Sequence, residues 1–175
     1  NKDKIDKLKN DLKKFVLKKK LYLYTCDCKN IDDVKKTIWE VDKDIGNVDI
    51  LINNIGNGSG NNQSIPELKE WESSWKTNFQ SAFNVTYFLL KSIIKKKGTI
   101  IFINSIAGIE YLGAPNSYST SKSALLSFAK SLSFKHGDKI RVNSVSPGNI
   151  FFTDGTWDKK MKNDNENVTK YIKDN

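Results

Sequence analysis

A chain of 175 residues is long enough for one domain with a real core, and an apolar content of 38% fits a soluble globular protein. No apolar run approaches the ~18–20 residues that span a bilayer, and no signal peptide heads the sequence, so a cytoplasmic protein without a membrane partner is expected. The formal charge of +9 rests almost wholly on lysine, with Arg141 the only arginine. Scattered lysine faces without arginine forks argue against nucleic acid as the partner and describe solvated helix surfaces.

The order of elements is more informative. Residues 3–19 carry Ile5, Leu8, Leu12, Phe15 and Val16 at helical spacing. "LYLYTCDC" (21–28) reads as a strand, with Cys26 and Cys28 on one face as free thiols rather than a disulfide or a metal site. A helix at about 31–45 places Ile31, Val34, Ile38 and Val41 on its inner side. "VDILINN" (48–54) has the short apolar run of a strand buried on both faces of a parallel sheet.

After it come a loop of Gly, Asn and Ser ("GNGSGNNQS", 56–64), a long helix at about 67–96, and the strand "GTIIFINS" (98–105). A helix at 117–135 and a strand in "KIRVNSVSPG" (139–148) follow, and the tail from 155 to 174 has helical tendency. Strands alternating with helices imply an α/β fold with a parallel sheet and right-handed crossovers.

In such sheets ligands bind outside the carboxyl ends of the strands. Asp27, "NNIG" (53–56), "NSIAG" (104–108) and "SPG" (146–148) stand at those ends. Any one of them is an ordinary turn or cap; four on one edge point to a site.

Together these residues resemble the short-chain dehydrogenase/reductase family. "NNIG" stands for its NNAG, Asn78 follows in the next helix, and "YSTSK" supplies the YxxxK pair Tyr118 and Lys122. Ser105 lies thirteen residues before Tyr118, and "PG" follows the last strand. The resemblance implies a Rossmann-like, doubly wound parallel sheet flanked by helices, forming a single NAD(P)-binding domain over 1–175. It also implies an oxidoreductase acting on a small carbonyl or secondary alcohol.

Hydride transfer to a carbonyl needs a proton donor, and the reverse reaction needs a base. A phenol with a usual pKa of about 10 is a poor base near neutrality. An ammonium four residues on shares its helix face and favours the phenolate. By the resemblance, Tyr118 is the general acid/base, Lys122 assists it, Ser105 holds the substrate oxygen, and Asn78 holds a water in a proton relay. Asp27 and Cys28 would lie near the adenine, and Asn53, Asn54 and Gly56 beneath the adenosine ribose. Tyr118 and Lys122 would reach the nicotinamide ribose, and Pro147, Gly148 and Ile150 the carboxamide. Residues from about 149 to 175 take the place of the substrate lid, with Trp157 either a substrate contact or an anchor for that lid.

The glycine-rich turn that seats the pyrophosphate is not found: "GNGSG" (56–60) follows the wrong strand. The sheet is therefore expected to be incomplete, the chain a fragment, and the choice between NAD and NADP open. A catalytically silent scaffolding member of the fold is the alternative reading, and a lysine-rich nucleic-acid binder the next. Trp75, Phe79, Phe83 and Tyr87, each four apart, exceed what one helix face against a sheet requires. With the resemblance they imply a homodimer or homotetramer through helices 67–96 and 117–135.

Overall fold

The alternation of apolar runs with amphipathic stretches resolves into three parallel strands and their connecting helices. The computed structural model of the chain describes residues 2–13, 15, 18, 21–61, 63–153 and 155–174. The helices are α1 (Lys2–Asp11), α2 (Ile31–Asp44), α3 (Leu68–Trp75), α4 (Ser81–Lys95), α5 (Asn116–His136), α6 (Thr156–Asn163) and α7 (Asn165–Asp174). The strands are β1 (Ile50–Asn53), β2 (Thr99–Ile103) and β3 (Arg141–Val145), in the spatial order β1-β2-β3. Ile50 stands opposite Thr99, and Thr99 opposite Arg141, so the three strand ends form one edge.

Leu51, Ile100, Phe102 and Val142 point to one face of the sheet and bury against Leu89 and Ile93 of α4 and Leu125, Ala129 and Leu132 of α5. Phe102 is fully buried, with Phe128 of α5 packed edge-on at 5.8 Å. Helix α2 docks through Val34, which is fully buried, while Ile31 at its first turn is exposed. The cap explains that start: the Asn30 side chain accepts from the amides of Asp32 and Asp33, freeing position 31 from any packing duty.

The opposite face departs from the sequence expectation. Ile50 and Ile52 remain 61% and 57% exposed, because no described helix packs against that side of β1. Burial on both faces is thus replaced by burial on alternate residues.

Residues 21–27 also differ from the expected strand: among the described residues they have no ladder partner. A strand persists only where a neighbour takes its N–H and C=O groups. Here the segment ends instead on α4, where the Asn84 amide donates to the Cys28 carbonyl at 3.0 Å. The first helix is seen as α1, and its expected continuation to residue 19 falls partly on residues 14, 16, 17 and 19, outside the described set.

The long helix expected over 67–96 is interrupted. Residues Lys76–Gln80 form a π-turn between α3 and α4, in which the Ser81 amide reaches back five residues to the Lys76 carbonyl. The Ser81 hydroxyl donates to the Thr77 carbonyl at 2.6 Å, and the Asn78 amide donates to the Ser74 carbonyl at 3.0 Å. Side-chain donors compete for the carbonyls that the backbone ladder would use, and the helix widens there.

Candidate active site

The strand-end edge and the head of α5 carry the chemistry. β2 ends at Ile103, and the chain turns through Asn104 and Ser105 into a short 3-10 turn, Ile106–Gly108. Ser105 caps that turn by accepting from the Ala107 amide at 3.2 Å, which leaves its own hydroxyl proton free to donate. The Ile106 amide donates to the Pro147 carbonyl at 3.1 Å, binding this turn to the "SPG" loop after β3.

Gly108 fits directly against α5: a Cβ there would sit 2.9 Å from the Lys122 backbone carbonyl carbon. That close approach sets the height of Tyr118 and Lys122 relative to Ser105.

Lys122 is buried, 3% exposed, and its ammonium donates to the Ile103 carbonyl at 2.9 Å. Burial lowers its pKa from the usual lysine value to about 8. Its nitrogen lies 5.8 Å from the centre of the Tyr118 ring. Tyr118 is only half-buried and opens onto a cleft of about 930 Å³, which Ser105 also lines.

The loop after β1 roofs this pair. Asn78, fully buried at the π-turn, accepts from the Asn57 amide at 2.8 Å and donates to the Asn57 carbonyl at 3.1 Å. That pair of hydrogen bonds holds Gly56 against Lys122: a Cβ at Gly56 would lie 3.1 Å from Lys122 Nζ and 3.2 Å from Asn78 Oδ1. Gly58 lies over the Tyr118 ring, with its would-be Cβ 3.6 Å from Cζ. The glycines of 56–60 therefore admit backbone to the tyrosine and lysine.

Two residues here escaped the sequence reading. Asn57 and Gly58 form the roof just described. Asn104 is 4% exposed, and neither of its side-chain polar atoms has a hydrogen-bond partner among the described residues. For Gly58 the only signal was a loop unusually rich in glycine.

The remaining expected site residues fall into two groups. Gly148 and Ile150 line the large cleft with Ser105 and Tyr118. Cys28, Asn53 and Asn54 line a separate hollow of about 210 Å³ at the open edge of β1. Asn53 is itself buried and donates to the Thr86 hydroxyl at 3.0 Å, so its amide faces α4. Asp27 is exposed; its carboxylate accepts from the Lys29 amide at 3.1 Å and lies 3.9 Å from the Lys29 ammonium. Trp157 stacks on Tyr171 of α7 at 5.3 Å and lines the cleft.

The large cleft has the volume of a small-molecule or cofactor site. At Gly148 a Cβ would meet only the tip of Ile106, at 3.3 Å, so the missing side chain leaves room for a flat ring against the loop. These residues fit the nicotinamide end of a dinucleotide.

Three parallel strands sharing one strand-end edge, flanked by helices, define a Rossmann-like fold. Residues 1–164 match the short chain dehydrogenase family, and the chain belongs to it. It is 40% identical over 131 residues to the 3-oxoacyl-(acyl-carrier-protein) reductase FabG of Buchnera aphidicola subsp. Acyrthosiphon pisum, covering 73% of this chain and 53% of that protein. Among solved structures it is similar to the ligand-free aldohexose dehydrogenase of Thermoplasma acidophilum, with a TM-score of 0.71 and 27% identity over 85% of this chain and 60% of that one. It is also similar to an NAD+-bound xylitol dehydrogenase, with a TM-score of 0.66 and 26% identity over 71% of this chain and 49% of that one. The chain spans about half the length of the curated relatives it matches.

Proposed function

We propose that the protein is an NAD(P)-dependent oxidoreductase that interconverts a small carbonyl compound and its alcohol, with Tyr118 moving the proton. The observation that carries this reading is the juxtaposition of Ser105 and Tyr118 on one cleft wall, backed by the buried Lys122 ammonium. The nicotinamide cofactor, when bound, supplies or accepts the hydride. The chain's own residues do the rest. The Ser105 hydroxyl donates to the substrate oxygen and fixes it beside Tyr118. The Tyr118 phenol gives its proton to that oxygen as negative charge develops there, or takes it in the reverse direction.

Lys122, held by the Ile103 carbonyl, presents a positive charge to the Tyr118 oxygen while the proton moves. Asn78 anchors the loop that closes over both side chains and stands beside Lys122 as the inner end of a proton relay. Gly148 and Ile150 offer a wall for the nicotinamide, and Asp27, Cys28, Asn53, Asn54 and Gly56 the surroundings of the adenosine. NAD and NADP are equally compatible with these residues.

Tyr118→Phe in the intact protein tests the proposal: carbonyl reduction falls by about 10²–10⁴-fold, the usual contribution of a general acid, while cofactor binding persists. Near-normal turnover in that variant would sink it. A catalytically silent member of the same fold is the second reading. Titration with NADH and NADPH separates the two, since a silent scaffold need bind neither.

We infer further that copies associate through α3–α4 and α5. Trp75, Phe79, Phe83 and Tyr87 form a continuous run with centroid spacings of 4.6, 6.3 and 6.2 Å. Tyr87 is 62% exposed and Phe134 on α5 is 93% exposed, a disposition suited to burial against a second copy.

A further inference from the structure

The cleft beside Tyr118 has a wall of uneven chemistry. Ile106, Leu112, Pro115, Ile150 and Phe152 give it an apolar lining, and among the described residues that line it only Lys160 bears a formal charge. Lys160 is exposed and stands 4.7 Å over the Trp157 ring, so its head is steadied at the cleft rather than free to sweep through solvent. Its neighbour on the same helix behaves differently: Lys162 is paired with Asp158 at 2.7 Å. Lys160 has no carboxylate within ion-pair distance among the described residues.

A cationic group steadied on an otherwise uncharged wall adds little to the binding of a neutral ketone. It adds a charge-assisted contact for a substrate that carries an anion at the far end of an apolar body. One ammonium suits a monoanion. The planar fork that grips a phosphate in two bonds is lacking, because the only arginine, Arg141, is on β3 and donates to Thr99 at 2.6 Å.

We propose that Lys160 selects carboxylate-bearing carbonyl compounds: the carboxylate rests on its ammonium, the chain on the apolar wall, and the carbonyl at Ser105 and Tyr118. The carbonyl's placement rests on the oxidoreductase reading above. The contact of anion with Lys160 does not, which allows the two to fail separately.

The experiment is a calorimetric titration of the protein with 7-oxooctanoate and with its methyl ester, which share a carbon skeleton and differ in charge. A shorter acid, 4-oxopentanoate, varies the distance between carbonyl and carboxylate. The acid is expected to bind at least tenfold more tightly than the ester. Raising the salt from 50 to 500 mM should weaken the acid alone. Lys160→Gln should abolish the preference without changing the ester, and Lys160→Arg should keep it.

Equal affinity for acid and ester in the unaltered protein, or an equal loss of both in Lys160→Gln, overturns the proposal. So does a Lys160→Gln protein that loses NADH affinity and retains the preference for the acid, because the ammonium would then serve the cofactor. Absence of carbonyl reduction by the unaltered protein would remove the oxidoreductase reading and leave the acid-over-ester preference as the test of Lys160.

Discussion

The Lys122 ammonium and the Ile103 carbonyl meet at 2.9 Å, inside the fold, where a lysine side chain is 97% shielded from solvent. One backbone acceptor from the end of β2 thus holds a charge beside the Tyr118 ring, and the loop at Gly56 closes over it. The bond ties the sheet edge to the middle of α5, and its energetics have consequences that can be measured.

The first concerns pH. Burial lowers the Lys122 pKa from 10.5 to about 8, so between these values the unfolded chain binds a proton that the folded one has released. Stability from this group therefore rises with pH across that window, and below about pH 8 it carries the cost of a buried ammonium. Cys28 acts in the opposite sense, since burial, then the neighbouring Cys26, pushes its thiol from 9.0 up to about 12. Comparing Lys122→Met with the unaltered protein cancels Cys28. The stability advantage of the variant should shrink steadily from pH 8 to pH 10.5 in urea titrations.

Gly56→Ala tests the roof. The new Cβ would sit within 3.1–3.2 Å of Lys122 Nζ and Asn78 Oδ1, so the ammonium must move a few tenths of an ångström. Overpacking of this kind costs about 1–3 kcal/mol. The larger expected effect is functional: a drop of at least tenfold in kcat, with a melting temperature only a few degrees lower.

Asn78→Ala removes a fully buried amide that holds Asn57 at both its N–H and its carbonyl and also bonds Ser74. Leaving those backbone groups without partners should cost about 2–3 kcal/mol. Urea denaturation reads that loss. A faster cleavage of the 56–61 loop by proteases would accompany it, because the loop's described tether to the π-turn is gone.

Association through the aromatic run predicts that Tyr87→Lys together with Phe134→Lys shifts the protein to a monomer in sedimentation velocity. Both positions are exposed in the single chain, so the fold itself should survive. An unaltered assembly state in that double variant would move the interface elsewhere.

Much of the site was legible from spacing. Tyr118 and Lys122 lie four apart, so any helix puts them on one side, and Ser105 at a strand end is carried to the same edge by a parallel sheet. The core-forming elements were legible too: Phe102, Leu125 and Val142 are buried on the strands and helix expected at 98–105, 139–148 and 117–135. The unpaired run 21–27 was not, because its residues favour a strand but only a neighbour can supply the ladder. The π-turn at 76–80 was hidden as well, since it depends on Asn78 and Ser81 bonding to the carbonyls of Ser74 and Thr77 instead of to other partners.

Sequence alone therefore determined the alternating elements and the strand-end edge, because periodicity is a local property of a chain, while the family resemblance singled out Ser105, Tyr118 and Lys122. Only the tertiary structure decided which loop covers them, that Asn53 turns toward Thr86 while Gly58 lies on Tyr118, and that Lys160 joins Trp157 on the cleft wall. Those outcomes depend on which distant segments come within a few ångströms of one another, and contact at that range is set by packing rather than by order along the chain.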